Sequence, residues 1–121
     1  MSTSIRQKQA VFSLMLGKLL QKSAELQTPV VILELYRSVE TQKQYVARGL
    51  SKTMSSKHLY GLAVDLAFLN DIQDDGKINY PAEKYLPLGE YWESLGGRWG
   101  GRFGAKGKNL GWDSGHFEYA G

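Results

Sequence analysis

Tyr60-Gly61-Leu62-Ala63-Val64-Asp65-Leu66-Ala67-Phe68 alternates large and small side chains. Successive residues of a strand point to opposite faces. Leu62, Val64, Leu66 and Phe68 therefore share one face, and Gly61, Ala63, Asp65 and Ala67 share the other. The large side chains belong against a core. The other face holds one carboxylate among side chains no bigger than a methyl group, as expected where a metal or a substrate comes close. A carboxylate within an apolar strand is costly unless it is paired or bound to metal.

Working outward, the segment before this strand opens with a helical pattern. Phe12, Met15, Leu16, Leu19 and Leu20 fall on one face of an amphipathic helix spanning Ser4 to Leu26. Thr28-Pro29 ends it, because proline disfavours helix in the residue before it. Val30 to Tyr36 is rich in β-branched residues and reads as a buried strand. Ser38 caps a second helix, Val39 to Arg48, closed by Gly49. Leu50 to Lys57 reads as a loop.

Beyond the strand, Asn70 to Tyr80 is a polar excursion. Asp71 to Ile78 resembles the start of a calcium loop, but Ala82 stands where that loop needs a glutamate, so a solvated acidic turn is expected. Pro81 starts a third helix, Ala82 to Leu95. Gly96 to Gly111 holds seven glycines (Gly96, Gly97, Gly100, Gly101, Gly104, Gly107 and Gly111) and reads as turn and loop. Its glycines lack the order of a phosphate-binding loop. Trp112 to Tyr119 reads as a last strand. Trp92, Trp99, Trp112 and the tyrosines are expected in the core and along a groove. The fold class is α+β, or α/β if the strands are parallel.

The chain has 121 residues, which suits one domain, 1–121, and leaves no room for two. It is 42% hydrophobic and 22% charged, ordinary for a globular protein. There are no cysteines, which excludes disulfides, thiol nucleophiles and cysteine zinc sites. The net charge of +3 favours anionic surfaces without naming one. The basic residues are scattered, so nucleic acid is not an expected partner. No run approaches the length of a membrane span. Arg6 and Lys8 precede an apolar run, but Lys18 interrupts it and no cleavage signal follows, so no signal peptide is expected.

The chain has two histidines, His58 and His116, each close in sequence to a carboxylate. Two imidazoles and one carboxylate suit zinc, and a catalytic zinc site keeps three protein ligands and one open position. His58, Asp65 and His116 supply that set from separate elements. Asp113, three residues before His116, is placed to move a proton. Each histidine alone reads more readily as a packed or surface side chain than as a ligand. Ser56 can cap a turn or reach the site. Glu118, two residues after His116, faces the same side if the segment is a strand; there it can orient a ligand or sit in solvent.

Ser56-x-His58-x-x-Gly61-x-Ala63-x-Asp65, followed by Asp113-x-x-His116, resembles the M15 family of zinc peptidases. The likeness runs from Tyr36 to Tyr119. It implies a central, mainly antiparallel sheet with flanking helices, of the hedgehog and D,D-peptidase type. It implies Zn2+ held by His58, Asp65 and His116, and Asp113 as the catalytic carboxylate. Arg37, in Tyr36-Arg37-Ser38-x-x-x-Gln42, matches the arginine that steadies the carbonyl oxygen. The substrate implied is the stem peptide of bacterial peptidoglycan. Leu95-Gly96-Gly97-x-Trp99-Gly100-Gly101 and Gly115-His116-Phe117-Glu118 resemble the phage endolysin branch, whose members cut the L-alanyl-D-glutamate bond. The alternatives are a D-Ala-D-Ala carboxypeptidase of the same family and a zinc-stabilised binding module without catalysis. An endolysin-like protein is expected as a monomer in the host cytoplasm until the membrane is permeabilised.

Overall fold

A computed structural model describes residues 3–51, 54, 56–107 and 109–121. The first helix, α1 (Ile5–Glu25), starts at a capping box in which the Ser4 side chain accepts from the Gln7 N–H and the Gln7 side chain accepts from the Ser4 N–H. It buries Phe12, Met15 and Leu19, the stripe predicted from spacing. Strand β1 (Val30–Glu34) and helix α2 (Val39–Ala47) follow, with Ser38 capping α2 through the Thr41 N–H. A short 3-10 turn (Lys57–Tyr60) leads into β2 (Ala63–Phe68). Helix α3 (Ala82–Ser94), β3 (Arg98–Trp99) and β4 (His116–Glu118) complete the fold. Among the described residues, no helix is long and apolar enough to cross a membrane.

The four strands form one antiparallel sheet in the order β1-β2-β4-β3, which settles the fold class as α+β. The register divides it into two faces. Val64 pairs with Phe117, which pairs with Trp99, and these point into the core with Leu66 and Phe68. Helices α1 and α3 cover that face. Phe12 meets Trp92 edge-on with ring centroids 5.8 Å apart, and Trp92 meets Phe117 at 6.0 Å. The opposite face carries Glu34, Asp65, His116 and Glu118.

Five sequence expectations need correction. The Val30–Tyr36 segment is neither wholly strand nor buried. It pairs only over Val30–Glu34, forms the sheet edge, and leaves Ile32 46% exposed. The alternation from Tyr60 overstates β2, because Gly61 takes a left-handed conformation (φ 65) that ends the 3-10 turn before the strand begins. The glycine-rich segment hides β3 and a 3-10 turn, Gly100–Arg102. Only His116–Glu118 of the last segment pairs as a strand. Trp112 is 75% exposed and no part of the core; Tyr36 and Tyr60 are also exposed, whereas Tyr85 is buried. Positions 52, 53 and 55 of the expected Leu50–Lys57 loop lie outside the described residues.

The glycines do volumetric work in this region. A Cβ on Gly97 would stand 2.1 Å from Trp92 Nε1, and one on Gly101 would stand 2.1 Å from Trp99 Cζ2. The two indoles thus lie directly on glycine backbone. Their N–H groups then hold the chain around β4. Trp92 donates to the Glu118 carbonyl at 2.9 Å and Trp99 to the Ser114 carbonyl at 2.7 Å. The acidic excursion closes through an Ile72–Ile78 bridge, and both oxygens of Asp71 accept from Lys84 Nζ at 3.1 Å.

Candidate metal centre

The sheet register assembles the centre. Asp65 on β2 lies directly opposite His116 on β4. A β-bulge between Ile32 and Glu34 brings Glu34 of β1 opposite Asp65 on its other side. The 3-10 turn ahead of β2 then folds His58 against the same carboxylate. Ser56 caps that turn, its hydroxyl accepting from the His58 N–H at 3.2 Å. One ligand atom from each of His58, Asp65 and His116 lies within 4.8 Å of the others.

The ring nitrogens are set by their outer partners. His58 Nδ1 lies 2.9 Å from the Leu35 carbonyl oxygen, which can only accept, so Nδ1 carries the proton in the neutral ring. Nε2 is then a bare lone pair. It approaches Asp65 Oδ2 at 3.2 Å without hydrogen-bond geometry. Among the described residues it is the buried side-chain polar atom left without a partner. His116 Nε2 lies 2.8 Å from Glu118 Oε1, and its Nδ1 lies 3.1 Å from Asp65 Oδ1. An orphaned imidazole nitrogen beside a carboxylate and a second imidazole is a donor set that fits zinc.

The electrostatics follow from the crowding. Burial alone would raise the Asp65 pKa, but hydrogen bonding from His116 and the approach of His58 outweigh it and hold the carboxyl well below its usual range. Burial opposes charge on His116 as well, yet its bonds to Asp65 and Glu118 prevail and push its pKa up to about 9 in the absence of metal. Burial also raises Asp113, with the Asp65 charge adding to it against the pull of His116. A carboxylate so raised is a better base.

Asp113 stands at the start of a tight turn in which its carbonyl accepts from the His116 N–H at 3.0 Å. Its Oδ2 lies 3.9 Å from His116 Nδ1. Gly100 permits the approach, since a Cβ there would stand 2.0 Å from the Asp113 carbonyl oxygen. Arg37 enters from the β1 side. Its Nε donates to Glu34 Oε1 at 2.8 Å, Nη2 pairs with the same oxygen, and Nη1 donates to Gln42 Oε1 at 2.8 Å. Its guanidinium lies over the Tyr45 ring, and Nη2 stands 4.0 Å from Asp65 Oδ2.

The structure thus brings His58, Asp65, His116, Asp113, Arg37 and Glu118 to one place. Ser56 acts on the turn that carries His58. Glu118 is buried, not solvated. Sequence reasoning missed Glu34, which the bulge sets opposite Asp65 and which pairs with Arg37 three residues on, and Tyr80, whose phenol feels the charges of Asp65 and Asp113.

A family model of the M15 peptidases, described as D-alanyl-D-alanine carboxypeptidase, matches residues 49–119, more than half of the chain. The chain belongs to this family and is a zinc metallopeptidase. Among solved structures it is similar to the Serratia marcescens L-Ala D-Glu endopeptidase ChiX, with a TM-score of 0.54 and 27% identity over 77% of this chain and 68% of that one. It shares its fold with the D,D-pentapeptidase VanY of a VanB-type vancomycin resistance cassette, solved with Zn(II). That match has a TM-score of 0.56 and 19% identity over 91% of this chain and 71% of the other. No curated protein matches.

Proposed function

We propose that this protein is an endolysin-like peptidase that cuts the L-alanyl-D-glutamate bond of the peptidoglycan stem peptide, with zinc held by His58, Asp65 and His116. The observation that carries the metal assignment is the bare, buried His58 Nε2 facing Asp65 and His116. The bond assignment is supported by the 27% identity to ChiX.

When bound, zinc supplies Lewis acidity toward a carbonyl oxygen and toward water. Asp113 takes the proton of the attacking water on its carboxylate and passes it to the leaving amine, a task suited to its raised pKa. Arg37 is clamped by Glu34 and Gln42, so its positive charge is fixed before the carbonyl oxygen gains charge and needs no reorganisation then. Glu118 accepts from His116 Nε2–H and keeps Nδ1 turned to the metal position.

Digestion of purified peptidoglycan tests the reading. Mass spectrometry of the products should show new amino termini on D-glutamate. The family's description favours a second reading, D-Ala-D-Ala carboxypeptidase, and release of free D-alanine would establish that instead. Asp113→Ala should lower kcat by about 10²- to 10⁴-fold, while zinc content and melting temperature stay at the wild-type values.

A further inference from the structure

Tyr80 ends the polar loop ahead of α3. Its ring lies on the backbone of Gly115, inside the turn that joins Asp113 to His116. A Cβ added to Gly115 would stand 2.8 Å from Tyr80 Cε1 and 3.1 Å from Cδ1. The ring also packs against the buried Tyr85, with centroids 6.0 Å apart. Two contacts therefore fix its position, yet the residue stays 43% exposed.

The hydroxyl has no hydrogen-bond partner among the described residues. Burial, helped by the Asp65 and Asp113 charges, raises its pKa above the ordinary phenol value. At neutral pH it is a protonated donor. The charges of Asp65 and Asp113 reach it, and it bonds neither. A donor held rigidly at the wall of a peptidase site, and left free by the protein, is suited to an acceptor on the substrate. The nearby Asp113 disfavours a second anion, so a neutral amide carbonyl suits that position better than a carboxylate.

We propose that Tyr80 is a substrate-binding residue whose hydroxyl donates a hydrogen bond to an amide carbonyl oxygen of the stem peptide, on the Asp113 side of the centre. Arg37 approaches from the connection between β1 and α2 and Tyr80 from the loop before α3, so substrate is held from two different segments. The inference rests on the cell-wall peptidase reading above.

The test uses the zinc-loaded full chain and purified soluble muropeptides. Tyr80→Phe keeps the ring on Gly115 and removes only the donor. It should lose about ten- to a hundredfold in kcat/KM, with zinc content and melting temperature unchanged. Placing p-aminophenylalanine at position 80 restores a donor and should recover most of the loss, which a packing role would not produce. Tyr80→Phe activity within about twofold of wild type, well short of the loss of one such bond, overturns the proposal. So does a loss accompanied by lower zinc content or melting temperature, which would mark a structural role. A zinc-loaded wild type that cuts no muropeptide overturns the cell-wall reading and this proposal together. The two failures are distinct, because only the first leaves the wild type active.

Discussion

Strands β1 and β2 lie side by side and are built from similar residues, Val-Val-Ile-Leu-Glu against Ala-Val-Asp-Leu-Ala-Phe, yet they live in different surroundings. Strand β2 has a partner on each edge, and every residue but Asp65 is buried. Strand β1 has one partner, and its residues are half-buried or exposed. Their carboxylates differ in the same way. Asp65, at the centre, faces two imidazoles; Glu34, at the edge, clamps the Arg37 guanidinium. Apolar composition marks a strand, but position in the sheet decides what the strand buries and which charge its carboxylate meets.

The sharpest way to break this contrast is at the two acids. Asp65→Ala should abolish zinc retention on dialysis and bring muropeptide turnover to background. Glu34→Gln should keep the metal and lose about tenfold in kcat/KM, because a neutral partner holds Arg37 less firmly. Equal zinc loss in both would erase the distinction. The next contrast is apolar. Leu66→Ala in β2 removes a fully buried side chain and should destabilise by about 2–5 kcal/mol in denaturant unfolding. Ile32→Ala in β1 should cost about 1 kcal/mol or less, since nearly half of that residue is already in water.

A separate effect is expected at high pH, in the core beneath β2. Burial pushes the Tyr85 phenol up to about 12, although the Phe68 N–H bond to its oxygen partly opposes this. The folded state holds that proton more tightly than the unfolded state, whose value is 10.0. The contribution is complete below pH 10 and is lost as pH rises toward 12. Denaturant midpoints should fall across that window in the wild type and fall less in Tyr85→Phe.

The sequence made the helices and β2 legible because their patterns are strict: a stripe of large apolar residues in α1, a large–small alternation in β2. It could not distinguish an edge from a centre at Val30–Glu34, because strand order depends on partners distant in the chain. Strand β3 was hidden because two residues, Arg98 and Trp99, sit among glycines that read as turn. For the site, the spacing of His58, Asp65, Asp113 and His116 was visible, since those side chains carry the chemistry themselves. Glu34 and Tyr80 were not. One reaches the site through a bulge and the other through contact with a glycine thirty-five positions away, and neither leaves a local mark.

The indole-packed glycines divide the chain into positions that tolerate a standard engineering step and positions that refuse it. Replacing glycine by alanine often raises thermal tolerance by restricting the denatured chain. At Gly89, Gly97 and Gly101 the extra methyl would meet a tryptophan ring at 2.1–2.2 Å, and at Gly100 it would meet backbone at 2.0 Å. Gly17 lies in α1 with nothing within 4 Å of an added methyl. Gly17→Ala should harden the protein by about 1 kcal/mol on a helix that packs against the sheet face opposite the metal ligands, so durability can be raised without touching the groups that would do the cutting.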